Sequence, residues 1–223
     1  MNSSLVAYRP RPRQAFIARE GYPFIGIALI AALLMWMTGW NSGGMALLLL
    51  ASFVAYFFRN PKRTVPEGDG LVVAPADGRV VEIRSSVDAP HTGHPSTKVG
   101  IFMSVLDVHI NRLPVSARVK KIVYHAGNFL VASLDKASEQ NERNALILED
   151  DQGREFVLVQ VAGLIARRIV CYLRNGDQGR QGQRFGLIRF GSRVDIYMPL
   201  GTPIEVKKGD RVRAGESIIG RLV

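Results

Sequence analysis

Ser192 directly follows Gly191 in the middle of a run of strand-forming residues. Apolar, β-prone stretches flank the pair at residues 185–188 and 194–198, which is unusual for a surface turn. A glycine inside strand sequence indicates a bulge or a strained corner, because glycine adopts backbone angles that other residues avoid. A hydroxyl beside a strained carbonyl can attack it and turn the amide into an ester, through which the backbone then passes; this is the first step that self-cleavage needs. A bulge serine without a chemical role is the alternative that this local pattern leaves open.

A base for the Ser192 hydroxyl is available in His109, which lies in the mostly apolar segment 103–114. Asp77, in a predicted turn between two strands, could orient the imidazole and stabilise its protonated form. Ser, His and Asp form a base-assisted nucleophile in any chain order. Both partners also have structural interpretations, since Asp-Gly pairs are common in turns and buried histidines often bond a backbone carbonyl.

Arginines are concentrated between residues 167 and 193, where seven of them accompany a single acidic residue, Asp177. A guanidinium matches the geometry of phosphate and carboxylate, so Arg184 and Arg189 are candidate contacts for an anionic substrate or lipid surface. A solvated loop is the alternative, because residues 175–183 have a loop-like composition. Nucleic acid is a weaker expectation, since the run lacks the interleaved aromatic residues of a stacking platform.

The other histidines do not form a convincing metal site. His91 and His94 lie in a polar loop bounded by prolines, and His125 is distant in sequence. Two histidines without a third strong ligand nearby bind metal poorly, so no metal is expected. The single cysteine, Cys171, excludes an internal disulfide.

Residues 185–199 resemble the processing site of the phosphatidylserine decarboxylases, most closely that of their short bacterial and archaeal branch. The resemblance extends from Tyr56 to the C-terminus. It includes a Pro-Ala-Asp-Gly turn at residues 75–78 and a His-centred motif before Pro114. Many relatives carry two histidines three residues apart in that motif, whereas this chain has His109 followed by Arg112.

This resemblance implies a two-stage chemistry. Ser192 would attack the carbonyl of Gly191, and β-elimination from the ester followed by hydrolysis would release ammonia and leave a pyruvoyl group at residue 192. The products would be a large subunit, residues 1–191, and a small subunit, residues 192–223, which stay together as a heterodimer. The pyruvoyl ketone would form a Schiff base with phosphatidylserine and act as the electron sink in decarboxylation to phosphatidylethanolamine, a role that pyridoxal phosphate (PLP) plays elsewhere.

The resemblance also implies roles for individual residues. His109 would serve both self-processing and the later proton transfer, assisted by Asp77. Arg112 would contact the anionic substrate, together with Arg184 and Arg189. The cofactor would come from the chain itself, with neither a metal nor PLP.

The elements that must position these residues are predominantly strands. Residues 71–83 predict a strand, a turn and a second strand, and residues 74–78 and 203–220 resemble the two halves of lipoyl- and biotinyl-type barrels. Further strands are predicted at residues 98–105, 118–124, 144–149, 155–161 and 169–173, with a short helix at 132–142. The predicted fold is a β-dominated α+β body of barrel-sandwich type, preceded by an apolar helical hairpin.

The predicted hairpin has helices at residues 22–40 and 45–58, joined by a turn at 41–44. The first helix would be about 28 Å long, close to one hydrocarbon core. Both ends of the hairpin are basic, which favours insertion from the cytoplasmic face of the cell membrane. A cleaved signal peptide lacks support because no small-residue cleavage site follows the apolar core, and a soluble hairpin would carry polar residues at helical spacing.

The sequence therefore predicts a basic arm with a membrane-associated hairpin, residues 1–58, and a catalytic β-rich domain, residues 59–223. The formal charge of +10 fits an anionic membrane surface as partner, and the oligomeric state is left open. A membrane-anchored adaptor with a lipoyl-like barrel is the alternative function. That class needs long heptad-patterned helices between its barrel halves, and residues 98–161 contain none.

Overall fold

The structure is a computed structural model that describes residues 15–127, 141–163, 169–189 and 192–222. The described residues of Pro12–Lys62 form one compact unit, and those of Arg63–Val223 form another. The division between the two units falls between Lys62 and Arg63.

The smaller unit is a helical hairpin. A short 3-10 helix, Arg19–Gly21, leads into helix α1, Tyr22–Met37, and helix α2 follows at Asn41–Phe57. Small residues are buried where the two helices pack, namely Ala28 and Ala32 on α1 and Ala51 on α2, which lets the backbones approach closely. Most of the large apolar side chains of both helices are exposed instead.

The predicted turn at residues 41–44 is wrong, because those residues form the first turn of α2. The chain reverses at Gly39, whose φ of +78° lies in the left-handed region that favours glycine. Gly44 serves close packing instead. A Cβ there would lie 2.5 Å from Nε1 of Trp36.

The larger unit is built from antiparallel strands. In the described residues these are β1 Leu71–Val73, β2 Gly78–Asp88, β3 Pro95–Met103, β4 Ile110–Arg112, β5 Ala117–His125, β6 Arg143–Glu149, β7 Glu155–Ala162, β8 Ile169–Cys171, β9 Gln178–Gly179, β10 Arg184–Ile188, β11 Ser192–Pro199, β12 Arg211–Val212 and β13 Ile218–Arg221. Eight of them form a curled sheet in the order β12-β2-β3-β11-β7-β6-β5-β9. A three-stranded sheet, β4-β10-β8, and the pair β1-β13 complete the unit.

Strand β11 lies inside the large sheet, between β3 and β7. Its side chains alternate between the two faces, as in any strand. Val194, Ile196 and Met198 join the main apolar core. The alternate residues of the strand, including Arg193 and Asp195, therefore point to the opposite face, where they are also buried.

The two segments that resemble barrel halves meet in the structure. β1 pairs with β13, and β12 pairs with β2. Backbone hydrogen bonds from Gly215 to Ala74, at 2.9 Å, and from Ala74 to Ser217, at 2.8 Å, join the intervening turns. The predicted fold class, a β-dominated body preceded by apolar helices, is thereby confirmed.

The long strands lie where the sequence predicts them, because their apolar alternation is strong. Strands β4, β9 and β12 were not predicted, since two or three residues carry too little pattern. The helix predicted at 132–142 falls mostly outside the described residues, and Asn141 and Glu142 are not helical.

Candidate active site

Ser192 is the first residue of β11. It pairs with Met103 on β3 and with Ala162 on β7, and its side chain is fully buried. Within the described residues its Oγ has no hydrogen-bond partner, which is unusual because buried hydroxyls are normally satisfied. Gly191, the predicted cleavage site, lies outside the described residues, as does Phe190.

The loop that carries His109 is attached to the chain on both sides of the predicted cleavage site. It leaves β3 just after Met103, the neighbour of Ser192. At its other end, the backbone N–H of Ile188 donates to the carbonyl of His109 across 3.3 Å. Because Ile188 ends β10 shortly before Gly191, the backbone of His109 is attached to the strand that leads into the predicted cleavage site.

The imidazole of His109 is buried, and its orientation is set by the backbone. Its Nδ1 lies 3.0 Å from the carbonyl of Asp107. A carbonyl only accepts hydrogen bonds, so a neutral ring carries its proton on Nδ1 and the lone pair on Nε2. The Asp107 carboxylate stabilises the same loop, accepting from the backbone N–H of Ser104 at 2.8 Å and from its hydroxyl at 2.7 Å.

Asp77 lies in the turn between β1 and β2, and its carboxylate bonds other partners than His109. Oδ2 pairs with Arg63 at 2.6 Å, and Oδ1 accepts from the N–H of Ala214 at 2.8 Å. Burial raises the pKa of Asp77, although Ala214 and Arg63 act in the opposite direction. The predicted orienting contact between Asp77 and His109 is thus not among the described hydrogen bonds, and the carbonyl of Asp107 takes that place.

Glycine is required after Asp77 for two reasons. Gly78 has a φ of +147°, a conformation that other residues rarely adopt. A Cβ there would also lie 2.0 Å from the carbonyl oxygen of Phe102. The Asp-Gly pair therefore lets β2 approach β3 closely while it presents the Asp77 carboxylate.

Two of the candidate substrate-binding arginines are brought together. Arg112 and Arg184 are register partners on β4 and β10. Burial, followed by the charges of Arg184 and Arg63, lowers the pKa of Arg112 to about 10, and burial lowers that of Arg184. Nη1 of Arg112 donates to the carbonyl of Gly182 at 2.8 Å. Such a concentration of positive charge favours an anion.

Arg189, the third candidate, follows β10 and is half-buried. Two further arginines of the basic run, Arg167 and Arg168, lie outside the described residues.

A buried chain of amides next to Ser192 was not predicted. Nδ2 of Asn144 donates to Gln160 at 3.0 Å, Nε2 of Gln160 donates to Asn111 at 2.8 Å, and Nδ2 of Asn111 lies 3.6 Å from Sδ of Met103. All three amide residues are fully buried. The sequence carries one signal for these amides, namely a single polar residue at an inward-facing position of an otherwise apolar strand, since a buried polar group needs a hydrogen-bond partner.

The contacts of Arg63 and Glu216 with the turn that carries Asp77 were not predicted from the sequence either. Arg63 bridges Asp77 to Glu216, with a contact of 2.9 Å to the latter. Arg63 and Thr64 hold the pKa of Glu216 below its usual range in spite of desolvation. Their separation in sequence left no local signal for this contact.

Within the described ranges, no group of three or more His, Cys, Asp or Glu side chains could hold a metal ion. His91 and His125 stack with ring centroids 5.0 Å apart. His94 is exposed and lies 3.1 Å from Glu155.

Comparison with known proteins identifies the family. A family profile described as phosphatidylserine decarboxylase matches residues 50–220. Phosphatidylserine decarboxylase proenzymes of Syntrophus aciditrophicus and Nitrosomonas europaea are each 49% identical to this chain, over 211 residues (92% of this chain, 97% of the relative) and 213 residues (95% and 96%) respectively. The proenzyme of Burkholderia ambifaria is 46% identical over 206 residues, 92% of this chain and 96% of the relative. The chain therefore belongs to the phosphatidylserine decarboxylase family of enzymes.

Proposed function

We propose that this enzyme decarboxylates phosphatidylserine to phosphatidylethanolamine in phospholipid biosynthesis, after self-cleavage between Gly191 and Ser192. The observation that carries the proposal is the fully buried Ser192 hydroxyl, which has no hydrogen-bond partner within the described residues. The relatives' description as proenzymes supports a processing step. Membership of an enzyme family leaves the adaptor alternative without support.

In the cleavage step, Nε2 of His109 takes the proton from the Ser192 hydroxyl, whose oxygen attacks the carbonyl carbon of Gly191. The C–N bond between the two residues breaks, and an ester replaces the amide. β-Elimination then releases the carboxylate of Gly191 and leaves a dehydroalanine, which hydrolyses to a pyruvoyl group and ammonia. The bond from Nδ1 to the carbonyl of Asp107 supports the role of His109, because it leaves Nε2 as the basic nitrogen.

Asp77 contributes through its charge in this proposal. The charge of Asp107 is among the causes that raise the pKa of Asp77, so the field of the Asp77 carboxylate extends to the loop that carries His109. A nearby negative charge stabilises an imidazolium without a direct hydrogen bond.

A pyruvoyl group fits residue 192, because a serine there is the precursor and its side chain lies in an enclosed site. Such a group would supply an electrophilic ketone for the substrate amine and an electron sink for the departing carboxylate. His109 is the proposed proton donor for the product. Arg112, Arg184 and Arg189 are the proposed contacts for the negative charges of the lipid headgroup.

The two subunits would remain associated after cleavage. All of β11 lies on the C-terminal side of the cut, and it pairs with β3 and β7 in the middle of the sheet. β13 also belongs to the small subunit and pairs with β1. The sheet itself thus supports the proposed heterodimer.

The hairpin is proposed to attach the enzyme to the cytoplasmic face of the cell membrane. In the part of the chain that the structure describes, one helical segment, Arg19–Met37, is long and apolar enough to span a bilayer, and α2 is shorter. Ile27, Ile30 and Leu49 expose most of their apolar surface, which suits a hydrocarbon environment.

The decisive experiment is the intact mass of the full-length protein from membranes, compared with that of Ser192→Ala. We expect the wild type to yield fragment 192–223 with a blocked N-terminus, lighter by one ammonia than the unmodified peptide, and to turn over phosphatidylserine in vesicles. The Ser192→Ala protein should remain intact and inactive. An active wild-type protein with an intact chain would overturn the proposal.

A further inference from the structure

Arg193, the residue after Ser192, is fully buried, although arginine is among the residues least often found inside proteins. Its Nε donates to Oδ1 of Asp195 at 2.5 Å, and its Nη2 donates to Oε2 of Glu82. Lys98 completes a cluster of four charges, with Nζ 2.9 Å from Glu82 and 3.2 Å from Asp195. We refer to these four residues as the charge cluster.

Local backbone features make room for the charge cluster. Gly100 lies opposite Asp195 in the sheet, and a Cβ at Gly100 would lie 2.5 Å from Nη2 of Arg193. A bulge in β2 between Val80 and Glu82 shifts the register by one residue, so that Glu82 rather than Val81 lies opposite Gly100. The bulge thereby directs the Glu82 carboxylate to the face that carries Arg193.

Glu82, Lys98 and Arg193 remain ionised despite their burial. Hydrogen bonds and charges from Lys98 and Arg193 lower the pKa of Glu82, although desolvation alone would raise it. The pKa values of Lys98 and Arg193 are raised in turn, with the charge of Asp195 as the leading favourable cause for each. The two carboxylates are thus compensated by Arg193, by Lys98 and by the more exposed Arg84, whose Nε lies 2.6 Å from Oε1 of Glu82.

Such a cluster is a poor source of stability, because desolvating four charges offsets most of their mutual attraction. The charge cluster has a clearer effect on the register with which β11 pairs with its neighbouring strands. A slip of β11 by one residue would move Arg193 and Asp195 to the face of Val194 and Ile196, which lies in the apolar core. The charge cluster, whose other members lie on β2 and β3, therefore fixes the position of β11 along β3.

Fixed register matters most after the chain is cut. Residue 192 is then the end of a strand, and chain ends fray unless they are tied down. Its nitrogen leaves as ammonia, so residue 192 can no longer donate a backbone hydrogen bond to its neighbours. Arg193 becomes the first residue of the small subunit that retains a backbone N–H.

We propose that the charge cluster anchors the new end of the small subunit, so that Arg193 is a positioning residue that holds residue 192 in the site after cleavage. This inference rests on the proposed self-cleavage. Arg193 points to the face opposite Ser192, so it acts through the backbone and does not contact the reacting atoms.

The test compares Arg193→Met in two backgrounds, self-cleaved and uncleaved, the latter made with Ser192→Ala. Hydrogen exchange of the backbone amides of β11 is followed by mass spectrometry. We expect exchange to accelerate by about tenfold or more in the cleaved variant and by no more than about twofold in the uncleaved one, where the covalent link holds the strand. The kcat per cleaved chain should fall by a similar factor with little change in KM, and Arg193→Lys should recover part of it.

Lys120→Met is the matched control, because it removes an exposed ion pair with Glu149 on the same sheet and should change neither readout. Equal acceleration in both backgrounds would show an ordinary structural role and overturn the inference, as would no acceleration at all. If Arg193→Met fails to accumulate or to cleave, the milder Asp195→Asn takes its place, and failure of both to cleave also overturns the inference. An uncleaved wild-type chain that is active would overturn the proposed function itself.

Discussion

The backbone N–H of Ile188 donates a hydrogen bond to the carbonyl of His109 across 3.3 Å. This bond joins the loop that carries the imidazole to the strand that leads into Gly191. The other end of the loop departs from Met103, which pairs with Ser192. His109 is therefore held at both ends against the chain that it is proposed to activate, which reduces the reorganisation that proton transfer requires.

The first prediction concerns the base. His109→Gln retains a polar side chain but cannot accept the Ser192 proton as imidazole does, so self-cleavage should slow by about 100-fold or more. A time course on denaturing gels after induction measures the rate. His94→Gln, at an exposed histidine paired with Glu155, should cleave at the wild-type rate. Unchanged cleavage in His109→Gln would exclude this histidine as the base.

The second prediction separates substrate binding from processing. Arg112→Lys keeps a positive charge but loses the fork that bonds an anion in two places, so the KM for phosphatidylserine should rise by about tenfold. Self-cleavage should be unaffected, because Arg112 has no part in the proposed step. Arg211→Lys, at an exposed arginine of β12, is the control. A wild-type KM in Arg112→Lys would remove this residue from the binding site.

The sequence marks Ser192 and His109 as candidates because each is a reactive group inside strongly patterned apolar sequence, and Asp77 because it lies in a turn between two strands. It also predicted the long strands, whose alternation is visible over many residues. The resemblance supplied the family, which the comparisons confirm. The sequence pattern was sufficient to predict those features that neighbouring residues determine, such as the long strands.

Contacts between distant segments were not predictable in this way. The carboxylate of Asp77 accepts a hydrogen bond from Ala214 only because the two barrel segments close on each other. Arg63, which lies outside both segments, reaches the same carboxylate from the preceding stretch of chain. Glu82 reaches Arg193 only because one bulge changes the face of β2 to which it belongs. A single inserted residue reverses inward and outward positions, and alternation alone cannot locate it.

The third prediction tests the turn that carries Asp77. Gly153→Ala changes a glycine with a φ of +75° and open space around it, so only backbone strain of about 1 kcal/mol is expected. Gly78→Ala adds a clash with the carbonyl of Phe102, which should bring the loss to about 3 kcal/mol or more. Thermal unfolding of both variants in the Ser192→Ala background compares single chains. Similar losses in the two variants would contradict the close approach of β2 and β3.

The fourth prediction uses two buried carboxyls whose pKa values shift in opposite directions. The pKa of Glu82 lies below its usual 4.5, so its contribution to stability is present above pH 4.5 and is lost as the pH falls through the folded-state value. The pKa of Asp77 lies above its usual 3.8. Its contribution to the free energy of unfolding is therefore present below pH 3.8 and is lost as the pH rises through the folded-state value.

Glu82→Gln should therefore flatten the loss of thermal stability on acidification below pH 4.5. Asp77→Asn should make that loss steeper, since it removes the opposing contribution. Unfolding midpoints in the Ser192→Ala background across this acidic range measure both slopes. Parallel curves for the two variants would show that the pKa values of the two carboxyls do not shift in opposite directions.

The fifth prediction concerns the hairpin. Ile27 and Ile30 are exposed on α1, and neither supports the packing of α1 against α2. If these side chains face lipid, Ile27→Asp with Ile30→Asp places two charges in hydrocarbon, each at about 2.5 kcal/mol or more. Carbonate extraction should then release the variant from the membrane fraction while the wild type stays in the pellet. Leu200→Asp introduces a charge at an exposed leucine of the β-rich unit and should not change the distribution. Release of the wild type would show that the hairpin is not inserted, because carbonate removes proteins that are bound only through surface charge.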